Sequence, residues 1–553
     1  MKRTGLLVFL CLSSAVAAAP TRVERWYDHA VIYEIYPRSF EDTNGDGIGD
    51  LNGITRRLDY LKGLGVDAIW VTPFFPSPNK DFGYDISDYE NVAREYGTLA
   101  DWDRLVAEAN KRGIRVLIDF VLNHTSDQHP WFKESRSSRT NPKQDWYVWR
   151  DGGGPDKPPT HWTSIFHGIT WTWDPRRKQW YYHIFLPEQP DLNWNNQQVR
   201  NAMYDVARFW LKRGASGFRL DATPYLFEDP AFPEDPHPPK PGQGAALEPY
   251  NAGLAKGSEV LRELRAVLNQ FPGDPVLVGE SLTANIQSLA RLYGTKQDEM
   301  QLPMDFLFAN LKTLDAAQFK KQVDAAESEL GGGTPVFLLS NHDRVRAWDT
   351  FGDKKHNEQI AKLTAALTLS QRGAVLLYYG EEIGMSTMPP SELKTIPLTA
   401  KRPQADARDG ERTPMQWDAG KNAGFTTGSP WLPLAKDAKV NVAGEEKNPN
   451  SMYHWYAALL KLRHENAAFR DGDYVPLQSG NPKVFVFGRR TERNEWALIA
   501  LNMSDAAQKT TVSGMPGEFP KLSRVLLASP ATANPPASRE FELAPFGVMI
   551  AGS

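Results

Sequence analysis

Eight short apolar runs, each followed by a longer stretch, constrain this chain more than any other feature of it. They fall at 31–36, 68–72, 116–122, 217–221, 276–280, 301–306, 336–340 and 375–379. A parallel strand covered on both faces reads as a continuous apolar run, because neither side of it meets water. Amphipathic segments at 99–112, 197–213, 257–270, 316–330 and 357–370 are the expected intervening helices. Eight such units in strict alternation predict an α/β protein of the (β/α)8 or TIM-barrel kind. A doubly wound open sheet is the competing arrangement.

Two breaks in the rhythm divide the chain further. Nearly a hundred residues separate the third run from the fourth, and 125–187 is rich in Trp, Pro, Gly and Lys. Structureless loops of that length are uncommon in compact proteins, so a small inserted domain is expected at 125–187. After the eighth run, 386–442 is irregular and Pro-rich, and a helix is expected at 452–465. Alternating runs at 483–489, 496–502, 539–543 and 547–550 then predict a C-terminal antiparallel β domain over 471–553. The barrel itself would occupy 20–124 and 188–470.

Lys2 and Arg3 precede an apolar stretch at 5–19 that contains Ala15-Val16-Ala17-Ala18-Ala19. That is the layout of a secretory signal, with cleavage after Ala17 removing 1–17. The stretch is too short for the ~20 residues a membrane-spanning helix needs. An exported protein is expected, periplasmic or secreted, with no membrane span after signal removal. Cys11 is the only cysteine and would leave with the signal, so neither a disulfide nor a thiolate-held metal is expected. The formal net charge is −4 without a block of like charges, which gives no footing for nucleic acid.

In a barrel of this kind the C-terminal ends of the strands converge on one face. Those ends carry Asp119 with Asn123 and His124, Arg219 with Asp221, Glu280, and His342 with Asp343. Several carboxylates without a thiol suit glycoside hydrolysis, where one carboxylate attacks and a second, protonated, releases the leaving alcohol. Arg219 lies two residues before Asp221, on the same side of a strand, and is expected to lower its pKa. Glu280 ends an apolar run, whose desolvation should raise its pKa as an acid requires. Asp343 would stabilise positive charge developing on the sugar.

The segments 119–124, 217–222, 279–281 and 340–343 resemble, in order and spacing, the four signature segments of the α-amylase family, and 189–194 resembles a fifth. The resemblance implies Asp221 as nucleophile, Glu280 as acid/base and Asp343 as transition-state stabiliser. It also implies that His124 and His342 bind sugar hydroxyls and that Tyr84 stacks under the first ring. The stretches 45–51 and 412–417 resemble the exo-acting branch of oligo-1,6-glucosidases, maltases, sucrose-processing enzymes and trehalose synthases. By that likeness Asp85 and Arg412 would grip the non-reducing glucose of a small α-glucoside, and no organic cofactor is implied.

Residues 42–50 place oxygen ligands at Asp42, Asn44, Asp46, the Ile48 carbonyl and Asp50, as a hard cation needs. Gly53 stands where an EF-hand would have its acid, so the loop is of another kind. It resembles the structural Ca2+ or Mg2+ loop of the same branch. Ala222-Thr223-Pro224-Tyr225-Leu226 after the nucleophile resembles trehalose synthases and broad glucosidases. An α-glucosidase with some transglucosylation is therefore expected, with maltose–trehalose isomerisation and sucrose processing as alternatives. A non-catalytic transporter-associated barrel is disfavoured by the intact acids.

Overall fold

The computed structural model describes residues 25–166, 168–235, 255–435 and 440–553; the signal segment expected at 1–17 lies outside them. Strands β1 (Val31–Ile35), β2 (Ala68–Val71) and β3 (Arg115–Val121) pair in parallel. The chain then leaves the barrel and forms a three-stranded antiparallel sheet. Its strands are β4 (Trp149–Arg150), β5 (Trp171–Asp174) and β6 (Gln179–Tyr182). Trp162, Trp171, Trp180 and Tyr182 make a separate small core there, which accounts for the tryptophan richness of the segment.

The barrel resumes with β7 (Gly217–Asp221), β8 (Val276–Gly279), β9 (Leu302–Pro303), β10 (Val336–Phe337) and β11 (Ala374–Tyr378). Sheet order is β10-β11-β1-β2-β3-β7-β8-β9. At the seam between β9 and β10 the Asp305 amide donates to the Val336 carbonyl at 3.0 Å. The result is a nearly closed eight-stranded parallel barrel. The sixth and seventh apolar runs give shorter strands than their sequences suggest. Asp305 caps a helical turn at Phe306–Ala309 by accepting the Phe308 amide, and this ends the sixth run early. After Phe337 the chain bends toward Asn341 and His342.

Alternation along the strands sorts side chains between two cores. Ile32, Trp70, Leu117, Val276, Val278, Leu338 and Leu376 belong to the cluster inside the barrel. Val31, Tyr33, Ile69, Val71, Val116 and Ile118 belong to the larger cluster that includes the surrounding helices. Two residues further along the inward face, Ile32 is followed by Glu34, Leu117 by Asp119 and Val278 by Glu280. The apolar filling of the barrel is thus capped at its C-terminal end by ionisable groups. Gly217 opens β7 at φ +142°, and a Cβ there would stand 2.2 Å from the Val276 carbonyl oxygen.

Beyond the helix Met452–Glu465 lie β12 (Asp473–Pro476), β13 (Val484–Arg490), β14 (Trp496–Asn502), β15 (Gln508–Thr511), β16 (Arg524–Ser529), β17 (Glu540–Leu543) and β18 (Val548–Gly552). Five of them form one sheet, β12-β13-β14-β18-β16, and β15 pairs with β17. Strands β12 and β15 carry mostly exposed or half-buried residues, which is why they leave no apolar run in the sequence. Two buried arginines meet at the joint between this domain and the barrel, Arg463 on the barrel side and Arg489 on β13. Arg463 donates to the Leu369 and Gln371 carbonyls at 2.8 Å, and Arg489 reaches the Ser370 carbonyl at 3.3 Å. Those carbonyls follow the end of helix Asn357–Leu369, where backbone acceptors lack helical partners and the dipole favours a cation. No helix among the described residues is long and apolar enough to cross a membrane.

Candidate active site

A cavity of about 250 Å³ opens at the C-terminal end of the barrel. Asp221, Glu280 and Asp343 line it with Asp81, Tyr84, His124 and Arg408. Ile165, Phe166, Phe185, Ala222, Tyr225 and Leu282 complete the wall and make much of it apolar.

Arg219 organises the floor. It is fully buried under the face of Trp70, with 4.9 Å from guanidinium carbon to ring centre. Its Nη1 lies 3.0 Å from Asp119 Oδ1 and 2.6 Å from Asp221 Oδ1, and its Nη2 lies 3.0 Å from Glu280 Oε2. The Glu280 contact is an ion pair without hydrogen-bond alignment, whereas Glu280 Oε2 accepts the Ala222 amide at 3.1 Å. Ala222 adopts φ +50°, ψ +32°, a left-handed turn that a non-glycine residue takes at some cost. That turn brings its amide to the acid. Asp119 Oδ2 accepts from Trp70 Nε1 at 3.1 Å and from Tyr84 Oη at 3.0 Å, so Asp119 is occupied in holding Arg219 and Tyr84.

Arg219 does act to lower the Asp221 pKa as expected, but it is outweighed. Burial raises the Asp221 carboxyl well above the usual range; Arg219 opposes this, but Glu280 and Asp119 add to the rise. One guanidinium faces three carboxylates and cannot neutralise them all. Asp343 behaves in the opposite way. Burial works against its charge, yet His342, Arg408 and Arg412 hold it well below the ordinary carboxylate range. Its Oδ1 lies 2.7 Å from Arg412 Nη2 and 3.0 Å from Arg408 Nη1, and its Oδ2 lies 3.1 Å from His342 Nε2.

The remaining sequence candidates separate into three groups. Tyr84 and His124 reach the cavity. The Tyr84 ring stacks on His342 with centres 5.4 Å apart and planes 8° apart. Burial drives the His124 pKa down to about 3, so this ring is neutral; its Nδ1 meets Asn123 Oδ1 at 2.9 Å. His342 and Arg412 stand directly behind the lining, and Arg412 donates to the His342 carbonyl at 2.9 Å.

Asp85 is the residue the structure moves out of the site. It is fully buried and does not line the cavity; it accepts Ser77 Oγ and the Lys80 and Asp81 amides at 2.8–3.0 Å. Phe82 at φ +40° and Gly83 at φ +107° form the turn that presents Asp81 and Tyr84 inward and folds Asp85 back into its own loop. Asp81 occupies the place expected for Asp85. Its Oδ1 pairs with Arg408 Nη2 at 2.6 Å, and its Oδ2 accepts Gln189 Nε2 at 3.0 Å. Arg408 also pairs with Asp406 at 2.7 Å and packs over Phe166. Asp81 stands three residues before Tyr84 and Arg408 four before Arg412, each just outside the stretch that carries the resemblance.

The expected cation loop folds as a chain of side-chain-to-backbone turns. Asp42 accepts the Asn44, Gly45 and Gly47 amides, Asn44 accepts the Asp46 amide, and Asp46 accepts the Ile48 amide. Asp50 caps the helix Leu51–Arg56 by accepting the Gly53 amide at 2.8 Å. Among the described residues no three acidic, His or Cys side chains converge as metal ligands. The loop's oxygen set instead mixes carboxylates with an amide and a main-chain carbonyl.

A barrel with a carboxylate pair on one guanidinium and a third, ionised carboxylate opposite defines the class of carboxylate-based glycoside hydrolases. The alpha-amylase catalytic domain family matches residues 34–472, and the chain belongs to that family. It is 38% identical to an oligo-1,6-glucosidase of Parageobacillus thermoglucosidasius over 91% of this chain and 94% of that protein. It is 41% identical to a probable alpha-glucosidase of Rhizobium meliloti over 87% and 90%. Among solved structures, an isomaltulose synthase mutant from Erwinia rhapontici NX5 in complex with sucrose superposes with a TM-score of 0.86, at 35% identity, over 96% of this chain and 100% of that one. The alpha-glucosyl transfer enzyme XgtA gives 0.84 at 37% identity, over the same shares.

Proposed function

We propose that this protein is an exo-acting retaining α-glucosidase that releases α-glucose from the non-reducing end of maltose and short α-glucosides. The observation that carries this reading is the Asp221–Arg219–Glu280 contact, in which adjacent nitrogens of one guanidinium hold two carboxylates at 2.6 and 3.0 Å. Carboxylates held close together belong to double displacement. Asp221 attacks the anomeric carbon while Glu280 gives a proton to the glycosidic oxygen, leaving a glucosyl ester on Asp221. Glu280 then takes a proton from water, which cleaves the ester and restores the α configuration. Asp343, kept ionised, faces the positive charge that develops on the sugar in the transition state of each step. Asp81 and Arg408 would close the cavity behind a single glucose, with Arg412 supporting Asp343.

A second reading returns the glucosyl group to a sugar instead of water, giving transfer or isomerisation. The apolar wall of Ile165, Phe166, Phe185 and Leu282 favours it, because such a wall limits water around the ester. Incubation with maltose, isomaltose and sucrose, followed by proton NMR of every product, separates the readings. From sucrose, whose only glucose is the transferred one, free α-glucose should appear first. Initial β-glucose from sucrose would rule out retention, and disaccharide isomers without free glucose would assign the chain to the isomerases.

For the loop at 42–50 we propose one structural Ca2+ or Mg2+. Asp42 and Asp50 are both buried, and neither has an ion-pair partner within 4 Å among the described residues. Two buried acids without a cation fit an oxygen-ligated ion held with Asn44, Asp46 and the Ile48 carbonyl. A ligand bound only by the folded state raises stability by mass action. Chelation should therefore lower the melting temperature while leaving the rate at moderate temperature nearly unchanged. Elemental analysis without a bound divalent ion, together with melting indifferent to added Ca2+ and Mg2+, would refute the site. Residues 1–17 are proposed as the export signal to the periplasm or medium, which would leave Ala18 as the mature N-terminus, readable from intact mass.

A further inference from the structure

Glu34 is the one charged residue of β1, and the chemistry above makes no use of it. Its side chain is buried, 1% exposed, in a strand whose every residue is buried. Oε1 lies 2.5 Å from His342 Nδ1 and accepts the His342 amide at 3.2 Å. Among the described residues no lysine or arginine comes within 4 Å of it. The other ring nitrogen, Nε2, lies 3.1 Å from Asp343 Oδ2 and 2.8 Å from Tyr84 Oη.

A neutral imidazole has one N–H, whereas this ring has a carboxylate at each nitrogen. Every packed element contributes to the ring's surroundings. Glu34 comes from β1, Asp343 from the ring's own loop, and Tyr84 from the loop after β2, with Asp119 bonded to Tyr84. Arg412 donates to the His342 carbonyl, Tyr36 and Trp70 pack against the ring, and Arg219 acts on Glu34 through its charge. At Nδ1 the Glu34 carboxylate is the closest of these groups; at Nε2 the Tyr84 hydroxyl is nearer than Asp343, and because it donates to Asp119 its oxygen is free to accept from Nε2–H.

We propose that Glu34 is a positioning residue that fixes His342 as the doubly protonated imidazolium, so that Nε2–H is a donor toward Asp343 and a bound sugar hydroxyl. Only the sugar hydroxyl rests on the α-glucosidase reading. Burial works against charge on the ring, but Asp343 and Glu34 overcome it and bring the imidazole up to about 9. Burial likewise raises the Glu34 carboxyl, and His342 with Arg219 opposes that rise. Because the ring's pKa is raised, its charge is present at neutral pH and is lost as pH climbs through about 9. Glu34→Gln retains an oxygen acceptor for Nδ1–H but removes one of the two negative charges that sustain the cation.

The test combines a titration with a rate profile. In protein labelled with nitrogen-15 at histidine, the His342 signals are assigned by their loss in His342→Gln. Both ring nitrogens of the native protein should be protonated at neutral pH, and the midpoint should fall by about one pH unit or more in Glu34→Gln. Turnover of α-glucosyl fluoride, whose leaving group needs little proton help, should show its alkaline loss at a correspondingly lower pH in Glu34→Gln. At mildly acidic pH the two rates should stay within a few-fold. A merely structural Glu34 would depress the rate by one factor at all pH values and leave the midpoint in place. A neutral His342 in the native protein at neutral pH, or an unmoved midpoint in Glu34→Gln, overturns the proposal. Should the native protein not turn over the fluoride, the glucosidase reading falls, while the native titration still decides the role of Glu34 even where the variant does not fold.

Discussion

Asp221→Asn is expected to lower kcat for maltose by on the order of 10⁴ or more, the scale on which loss of a covalent nucleophile acts. The substitution is nearly isosteric, and the amide oxygen can still accept from Arg219, so the fold should persist. The altered step is attack on the anomeric carbon, which an amide performs poorly. Glu280→Gln should differ in kind. It removes the proton donor for the leaving oxygen, so kcat/KM, which reports the first step, should suffer a comparable loss with maltose and far less with α-glucosyl fluoride, while the second step slows for both. Circular dichroism and melting should match the native protein in both variants. Substantial maltose turnover by Asp221→Asn would exclude Asp221 as the attacking group. Equal losses of kcat/KM on both substrates for Glu280→Gln would remove the acid assignment.

A maltoheptaose derivative blocked at O4 and O6 of its terminal glucose should be cleaved on the order of 10⁴-fold less efficiently than the free oligosaccharide. A site built to bond a hydroxyl leaves buried polar groups unpaired when that hydroxyl is substituted. The groups in question are Asp81, anchored by Gln189 and Arg408, and Arg408, which bridges Asp81 and Asp343. Asp81→Ala should therefore lower kcat/KM for unblocked maltose sharply, while Asp85→Asn should act mainly on the stability of its loop. Efficient cleavage of the blocked substrate would mean an open, endo-acting cleft and would return Asp81 and Arg408 to structural roles.

The barrel was legible because its strands are covered on both faces and leave apolar runs, unbroken in 68–71 and 375–379. Where hydrogen-bonded pairing is only two residues long, as in β9 and β10, the apolar run outlasts the ladder, and its length misleads. The acids at strand ends were legible for the same reason, since each terminates a run that locates it. Asp81 and Arg408 sit in loops with no periodicity, and their inward direction depends on backbone turns such as Phe82 and Gly83 at positive φ. Sequence alone does not show which of two acids three or four residues apart faces the cavity. Glu34 did leave a mark, a lone charge inside an otherwise apolar strand, and only the position of His342 gives that mark a meaning.

The walls of the cavity have separate origins. Asp221 and Glu280 are fixed at or just beyond barrel strands, whereas Ile165, Phe166 and Phe185 hang from the excursion between β3 and β7, and Arg408 comes from the irregular segment after β11. The reacting pair and the apolar wall are therefore encoded in different stretches of chain, while Arg408 and Arg412 of the late segment also hold Asp343. Changes in the excursion that line the cavity leave in place the guanidinium that holds the reacting pair. Proteins named as hydrolase, transfer enzyme and synthase sharing this scaffold at 35–41% identity are what such a division of labour would produce.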